Sequence, residues 1–179
     1  MKFIAKFIFQ TLMGWSISGA FPEKTSKYVV IVVPHTSWMD FPIALFVRSI
    51  TGIRPNFIGK ASLFNGPFGW FFRSLGGIPI DRDKSKNFVE KIVDTFNASD
   101  RLILSLSPEG TRKKVKDWKT GFYYIAHLSN VPIVRVSMDY THKEICIAAP
   151  FKPTGDYTQD LPEIRSFFDN IEGKHKHYS

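Results

Sequence analysis

The chain has 179 residues, a net charge of +8 and an isoelectric point of about 9.6. Its length suits one folded domain, and 44% hydrophobic with 22% charged residues is globular rather than disordered usage. The single cysteine, Cys146, excludes a disulfide framework and a zinc site built on several thiolates. The positive charge favours anionic partners such as phosphates, nucleic acid or acidic lipid.

Residues 1–20 begin the chain with an apolar stretch that polar side chains interrupt. Lys6 and Gln10 interrupt the apolar run that a membrane-spanning helix needs. They also argue against a signal peptide, although residues 18–20 could imitate a cleavage site. At helical spacing, one side carries Phe3, Ile4, Phe7, Ile8, Leu12 and Trp15. We therefore expect an amphipathic N-terminal helix over residues 1–20, lying either in a membrane interface or against the core.

Strand and helix signals alternate along residues 21–179, which we predict to form one α/β domain. Residues 28–33 (YVVIVV) are a continuous β-branched run, typical of a strand buried on both faces. The further expected elements are helix 41–50, strand 56–59, helix 67–75, strand 77–81, helix 87–96, strand 102–106, helix 120–128, strands 133–138 and 145–149, and helix 161–171. This order predicts a mostly parallel sheet flanked by helices.

The aromatic run within residues 64–72 (Phe64, Phe68, Trp70, Phe71 and Phe72) has three possible roles. It could lie at a membrane interface, line an acyl groove or pack against the sheet, and core packing is the expectation for most of these rings.

Three polar loops follow predicted strands, at residues 34–40, 81–84 and 107–114. Open α/β sheets bind ligands outside the carboxyl ends of their strands, so these loops are expected to converge on one crevice. His35 could take a proton from a hydroxyl if Asp40 held its other ring nitrogen. The two can meet only if residues 36–38 form a turn ahead of the helix; otherwise Asp40 is a helix N-cap and His35 an ordinary loop residue.

The other loop residues are suited to binding anions. Arg82 and Arg112 each offer a planar fork for phosphate, and Lys60 adds a cation at another strand end. Gly110 and Thr111 could present backbone N–H groups to an oxyanion or a phosphate. A histidine base beside such a rim, without a nucleophile on the protein, suggests direct group transfer to a substrate hydroxyl.

Four segments occur in the order of a known set of motifs: HTSWMD at 35–40, GIPIDR at 77–82, PEGTR at 108–112 and VPIV at 131–134. With these, the chain resembles the glycerolipid acyltransferase family that includes 1-acyl-glycerol-3-phosphate acyltransferase. It departs from the family pattern at Pro79, at Arg135 and in its short length. The departures leave His35 and Asp40 in place and bear on the acceptor and on membrane insertion.

The resemblance implies a reaction without cofactor or metal, in which acyl-CoA or acyl-carrier protein is a co-substrate. His35 is then the general base and Asp40 its partner, and an acyl group passes to lysophosphatidic acid or a similar lysolipid in phospholipid biosynthesis. Arg82, Arg112 and Lys60 would bind the acceptor's phosphate. Glu109 would organise its loop, and donors around Gly110 and Thr111 would hold the oxyanion.

The expected partners are an anionic membrane surface and the two substrates, at the cytoplasmic face of the membrane in a peripheral or monotopic arrangement. No nucleic acid is expected, because the basic residues stand beside acids rather than in an aromatic-interleaved patch. A non-catalytic basic module that binds lipid or nucleic acid stays open as the alternative. A serine esterase is disfavoured because the chain lacks a G-x-S-x-G elbow.

Overall fold

The computed structural model describes residues 2–80 and 87–175. Its seven strands and seven α-helices alternate along most of the chain within these ranges. The strands are β1 Ser16–Gly19, β2 Lys27–Val33, β3 Asn56–Lys60, β4 Gly77–Ile80, β5 Leu102–Leu106, β6 Ile133–Asp139 and β7 Glu144–Ile147. The helices are α1 Lys2–Phe7, α2 Asp40–Thr51, α3 Ala61–Asn65, α4 Gly69–Ser74, α5 Phe88–Ala98, α6 Gly121–Leu128 and α7 Tyr157–Ser166, and a π-helical turn, Ile8–Leu12, continues α1.

The strands form one sheet in the order β1-β7-β6-β2-β5-β3-β4. Strands β6, β2, β5, β3 and β4 run parallel to one another, whereas β7 is antiparallel to β6 and pairs in parallel with the edge strand β1. The predicted α/β class with a mostly parallel sheet flanked by helices is confirmed. Strand β2 lies between β5 and β6, so the loops that follow these three strands meet at one edge of the sheet.

The central strand β2 sends alternate side chains into two separate hydrophobic cores. Val29 and Ile31 are fully buried against helices α5, α6 and α7, on what we term the α6 face. Tyr28 and Val30 point to the other side and pack with α2 and the N-terminal segment, on the α2 face. This period-two burial explains why β2 reads as an unbroken apolar run, since each fully buried aliphatic side chain stabilises the fold by about 1.5–3 kcal/mol.

The N-terminal helix is shorter than residues 1–20, so that boundary is corrected. Helical structure ends at Leu12, Gly14 has a φ of +72°, and β1 then pairs with β7. A left-handed backbone at Gly14 ends the helix and turns the chain into the sheet edge, so residues 16–19 belong to the sheet. Within residues 2–80 and 87–175, no helix is long and apolar enough to cross a bilayer.

The aromatic run forms two short helices, α3 and α4, instead of one helix over 67–75. Gly69 sits so close to the backbone of Phe64 that a Cβ would lie 2.1 Å from its carbonyl oxygen, and this close approach makes the corner between the helices. The prediction of core packing is confirmed for Phe64, which is buried. It is wrong for Phe68 and Trp70, which are 66% and 71% exposed.

Candidate active site

Three neighbouring strands in the middle of the sheet bring polar side chains together at their carboxyl ends. His35 follows β2, Glu109 follows β5 and Tyr140 follows β6. The backbone N–H of His35 donates to Glu109 Oε2 at 2.7 Å, and the Tyr140 hydroxyl donates to Asp40 Oδ1 at 2.7 Å. Segments that are far apart in the sequence therefore meet around the start of helix α2.

His35 and Asp40 touch, as the turn predicted ahead of α2 requires. Nδ1 of His35 lies 2.8 Å from Asp40 Oδ2, and the same oxygen accepts the backbone N–H groups of Thr36 and Ser37 at 3.0 and 2.9 Å. These amides belong to the loop before α2 rather than to the helix. Asp40 is thus not an N-cap; its carboxylate folds back over the loop and fixes the position of the imidazole.

The two members of this pair differ in burial, and that difference sets their chemistry. The Asp40 side chain is 4% exposed and the His35 side chain 31% exposed. Burial raises the pKa of Asp40, but hydrogen bonds from His35, Tyr140 and Ser37 outweigh burial and hold the pKa below its usual value. A carboxylate only accepts hydrogen bonds, so Nδ1 meets Asp40 as a donor, and in the neutral form of the ring Nε2 then carries a lone pair.

Glu109 holds the main chain of the histidine loop in place. It is buried, and its Oε2 accepts the N–H of His35 and the hydroxyl of Ser107. Burial raises the pKa of Glu109, an effect that the hydrogen bonds from His35 and Ser107 only partly offset. Glu109 thus links the loop after β5 to the loop that contains His35.

The predicted anion-binding residues lie on different elements of the fold. Lys60 and Arg112 are exposed, at the end of β3 and in the loop after β5. Gly110 adopts a φ of +63° and its N–H donates to the carbonyl of Ser107, so this amide closes a turn. The turn hydrogen bond argues against Gly110 N–H as an oxyanion donor. Thr111 is half-buried beside it, and Arg82 lies outside the described residues.

Sequence reasoning placed Ser107 in the polar loop 107–114 without a role of its own, and it missed Tyr140. Ser107 immediately follows β5 and Tyr140 immediately follows β6. The rule that ligands bind beyond the carboxyl ends of strands applies to β6 as it does to β2, and it could have drawn attention to Tyr140. In the described part of the chain, no group of three or more His, Cys, Asp or Glu side chains is placed to hold a metal ion.

Residues 17–139 match the model of the Acyltransferase family. The match covers more than half of the chain, and the chain belongs to this family.

Among curated proteins, the chain is similar to two enzymes named 1-acyl-sn-glycerol-3-phosphate acyltransferase. The Streptococcus pneumoniae protein is 31% identical over 139 residues, which are 70% of this chain and 50% of that protein. The Haemophilus influenzae protein is 34% identical over 95 residues, which are 49% of this chain and 39% of that protein. The chain thus matches half or less of the length of these relatives.

A solved structure shares the fold: the 1-acyl-sn-glycerophosphate (LPA) acyltransferase PlsC from Thermotoga maritima. The match has a TM-score of 0.63 and 19% sequence identity, and it covers 96% of this chain and 80% of that one.

Proposed function

We propose that this protein transfers a fatty acyl group from a thioester donor to a hydroxyl of lysophosphatidic acid or a similar lysolipid, with His35 as general base. The observation that carries the proposal is the His35–Asp40 pair: a half-buried imidazole whose Nδ1 lies 2.8 Å from a buried carboxylate. Membership of the Acyltransferase family and the names of the two curated relatives support the reaction class and the acceptor.

The proposed reaction is a direct transfer with no covalent intermediate on the protein. Nε2 of His35 removes the proton of the acceptor hydroxyl as the oxygen attacks the thioester carbonyl carbon. Asp40 stabilises the imidazolium that forms and keeps the ring oriented. When the tetrahedral intermediate collapses, the C–S bond breaks and the thiolate takes the proton back from Nε2. The donor is acyl-CoA or acyl-carrier protein.

The acceptor's phosphate is assigned to the basic residues near the strand ends. Lys60 and Arg112 are exposed; Lys60 is the last residue of β3, and Arg112 lies in the loop that follows the neighbouring strand β5. Their cationic groups could hold a phosphate at the mouth of the site while the hydroxyl reaches His35. Arg82, in the second of the four motifs, is proposed for the same role.

We also propose that the protein binds an anionic membrane surface, peripherally or monotopically, at its cytoplasmic face. The expected apolar side of α1 is exposed: Phe3 is 87%, Ile4 66% and Phe7 57% accessible. Phe9 and Trp15 are instead buried and attach the segment to the α2 face. A helix with exposed apolar rings and two lysines, anchored at its far end, is suited to a lipid interface.

The function is tested by a donor-by-acceptor transfer assay on purified protein, with products identified by lipid mass spectrometry. Acyl-CoA and acyl-carrier protein are each paired with lysophosphatidic acid, glycerol 3-phosphate and a lyso-aminolipid. We expect phosphatidic acid from lysophosphatidic acid, and a loss of about a hundredfold to ten-thousandfold in kcat for His35→Ala. His142→Ala, which removes an exposed histidine from another aspartate, is the matched control. Near wild-type turnover in folded His35→Ala would reject the role of His35.

Membrane binding is tested by co-sedimentation with phosphatidylglycerol-containing vesicles at low salt. Phe7→Ser and Leu128→Ser form a matched pair, because both side chains are 57% exposed and they lie on opposite faces of the sheet. We expect Phe7→Ser to lower the vesicle partition coefficient about tenfold, since one ring leaves the interface, while Leu128→Ser binds like the wild type. Equal losses in both variants, or a wild-type protein that stays in solution, would contradict the proposal.

A further inference from the structure

Tyr140 contacts the histidine–aspartate pair, although it lies in none of the four sequence motifs that pointed to this pair. It follows the last residue of β6, it lies one residue beyond the segment that matches the family model, and it is 100 positions from Asp40. Its hydroxyl donates to Asp40 Oδ1 at 2.7 Å. No other side chain from the β6–β7 turn is recorded on this carboxylate within the described residues.

The partners of Asp40 are divided between its two oxygens. Oδ2 faces the histidine loop, where it meets His35 Nδ1 and the amides of Thr36 and Ser37. Oδ1 faces the opposite way, toward the Tyr140 hydroxyl. A carboxylate held at both ends cannot rotate about its Cβ–Cγ bond without breaking a charge-assisted hydrogen bond, and such bonds are the strong ones.

Tyr140 is itself held on two sides. Its ring and that of Trp15 pack at right angles with a centroid distance of 5.0 Å, and the backbone N–H of Tyr140 donates to the carbonyl of Glu172 at 2.9 Å. Trp15 in turn stacks on Phe9, at the buried end of the N-terminal helical segment. The hydroxyl is therefore fixed by the core of the α2 face and by the segment after α7, not by the loop that contains His35.

We propose that Tyr140 is a positioning residue: its hydroxyl holds Asp40 Oδ1 so that Oδ2 stays directed at Nδ1 of His35. This inference rests on the proposed function for its effect on turnover, and on geometry alone for its effect on the imidazole. Tyr140 touches no reacting atom in this scheme. It acts through Asp40, and Asp40 acts through the tautomer and orientation of His35.

The decisive variant is Tyr140→Phe, which removes one oxygen and keeps the ring against Trp15. Tyr28→Phe is the matched control, because Tyr28 is fully buried on the same face and its hydroxyl has no hydrogen-bond partner among residues 2–80 and 87–175. We expect kcat to fall about tenfold to a hundredfold in Tyr140→Phe, with KM for donor and acceptor within about twofold of wild type. Tyr28→Phe should keep wild-type kinetics. Tyr140→Met, which also lacks the hydroxyl, is the second variant if Tyr140→Phe does not fold.

The pH profile gives a readout that loss of packing alone would not move. The titratable groups facing Asp40 are His35 from the loop after β2, Glu109 from the loop after β5, and Tyr140 from the loop after β6. The hydrogen bond from Tyr140 lowers the pKa of Asp40, so its loss should raise that pKa. The loss of kcat/KM that comes from protonation of Asp40 should then begin at a higher pH in Tyr140→Phe and at the wild-type pH in Tyr28→Phe.

Histidine-selective ¹⁵N NMR tests the positioning without any substrate. The His35 signals are assigned by their absence in His35→Ala. We expect the Nδ1–H tautomer in the wild type and a mixture of tautomers in Tyr140→Phe. An unchanged tautomer overturns the proposal, and so does an unchanged kcat or a raised KM with kcat preserved. If the wild type transfers no acyl group, the proposed function fails while the tautomer still decides the role of Tyr140.

Discussion

Two histidine–aspartate pairs follow neighbouring strands of this sheet, and they have nearly the same contact geometry. Nδ1 of His35 lies 2.8 Å from Asp40 Oδ2, and Nδ1 of His142 lies 2.7 Å from Asp139 Oδ2. They differ in access, since the His142 side chain is 73% exposed and that of His35 is 31% exposed. A close contact between an imidazole and a carboxylate is therefore not enough to define a catalytic pair.

The carboxylates differ more than the imidazoles do. Within the described part of the chain, Asp139 accepts only from its own turn, through the backbone N–H groups of Thr141 and His142 and the ring of His142. Asp40 is held by its own loop and also by Tyr140, 100 residues away. A turn can form the first arrangement by itself. The second exists only when strands β2 and β6 are paired, so long-range anchoring distinguishes the proposed catalytic pair from the local one.

The largest expected contrast comes from replacing each aspartate by asparagine. Asp40→Asn can turn its amide N–H₂ toward His35 Nδ1, which favours the wrong tautomer and removes the charge that stabilises the imidazolium. We expect kcat for acyl transfer to fall about a hundredfold to ten-thousandfold. Asp139→Asn keeps an oxygen for the turn amides and should leave kcat within about twofold, by the same order-of-magnitude reasoning.

The control for the variants Asp40→Asn and Asp139→Asn is their unfolding temperature, measured under the assay conditions. A fall in kcat of similar size in the two folded variants would remove the distinction between the pairs. It would also mean that the turn after β6 supports catalysis by more than the Tyr140 hydroxyl.

Most of the fold could be predicted from the sequence because buried strands and helices leave strong periodic signals. The unbroken run in β2 and the helical spacing in α5 located these elements within one or two residues. Strand β1 was missed because its four residues, SISG, carry a weak strand signal and gain their pairing only from β7. Helix α7 begins earlier than predicted because Asp156 caps it by accepting the N–H groups of Thr158 and Gln159.

The candidate site was predictable where its residues are close in sequence. His35 and Asp40 follow one strong strand, and a turn was the only way to bring them together. The anchoring of the pair was not predictable, because Tyr140 meets Asp40 only through the β2–β6 register. The turn at Gly110 was not predictable for a similar reason: a glycine that suits an oxyanion donor equally suits a tight turn, and only the backbone shows that this N–H donates to the carbonyl of Ser107.

The smallest expected effect concerns the stability that the exposed pair contributes. The hydrogen bond to Asp139, followed by its negative charge, raises the pKa of His142 above the ordinary value of 6.5. A raised histidine pKa gives stability that is fully present below the unfolded pKa and is lost as pH rises through the folded pKa. His142→Ala should therefore lower the unfolding temperature at about pH 5.5 and change it less at about pH 9. Because His142 is solvent-exposed, added salt should reduce the difference in unfolding temperature between wild type and His142→Ala even at the lower pH. The same loss of stability at both pH values would show that the His142 ring acts by packing. It would contradict the interpretation that the charge interaction between His142 and Asp139 stabilises the fold.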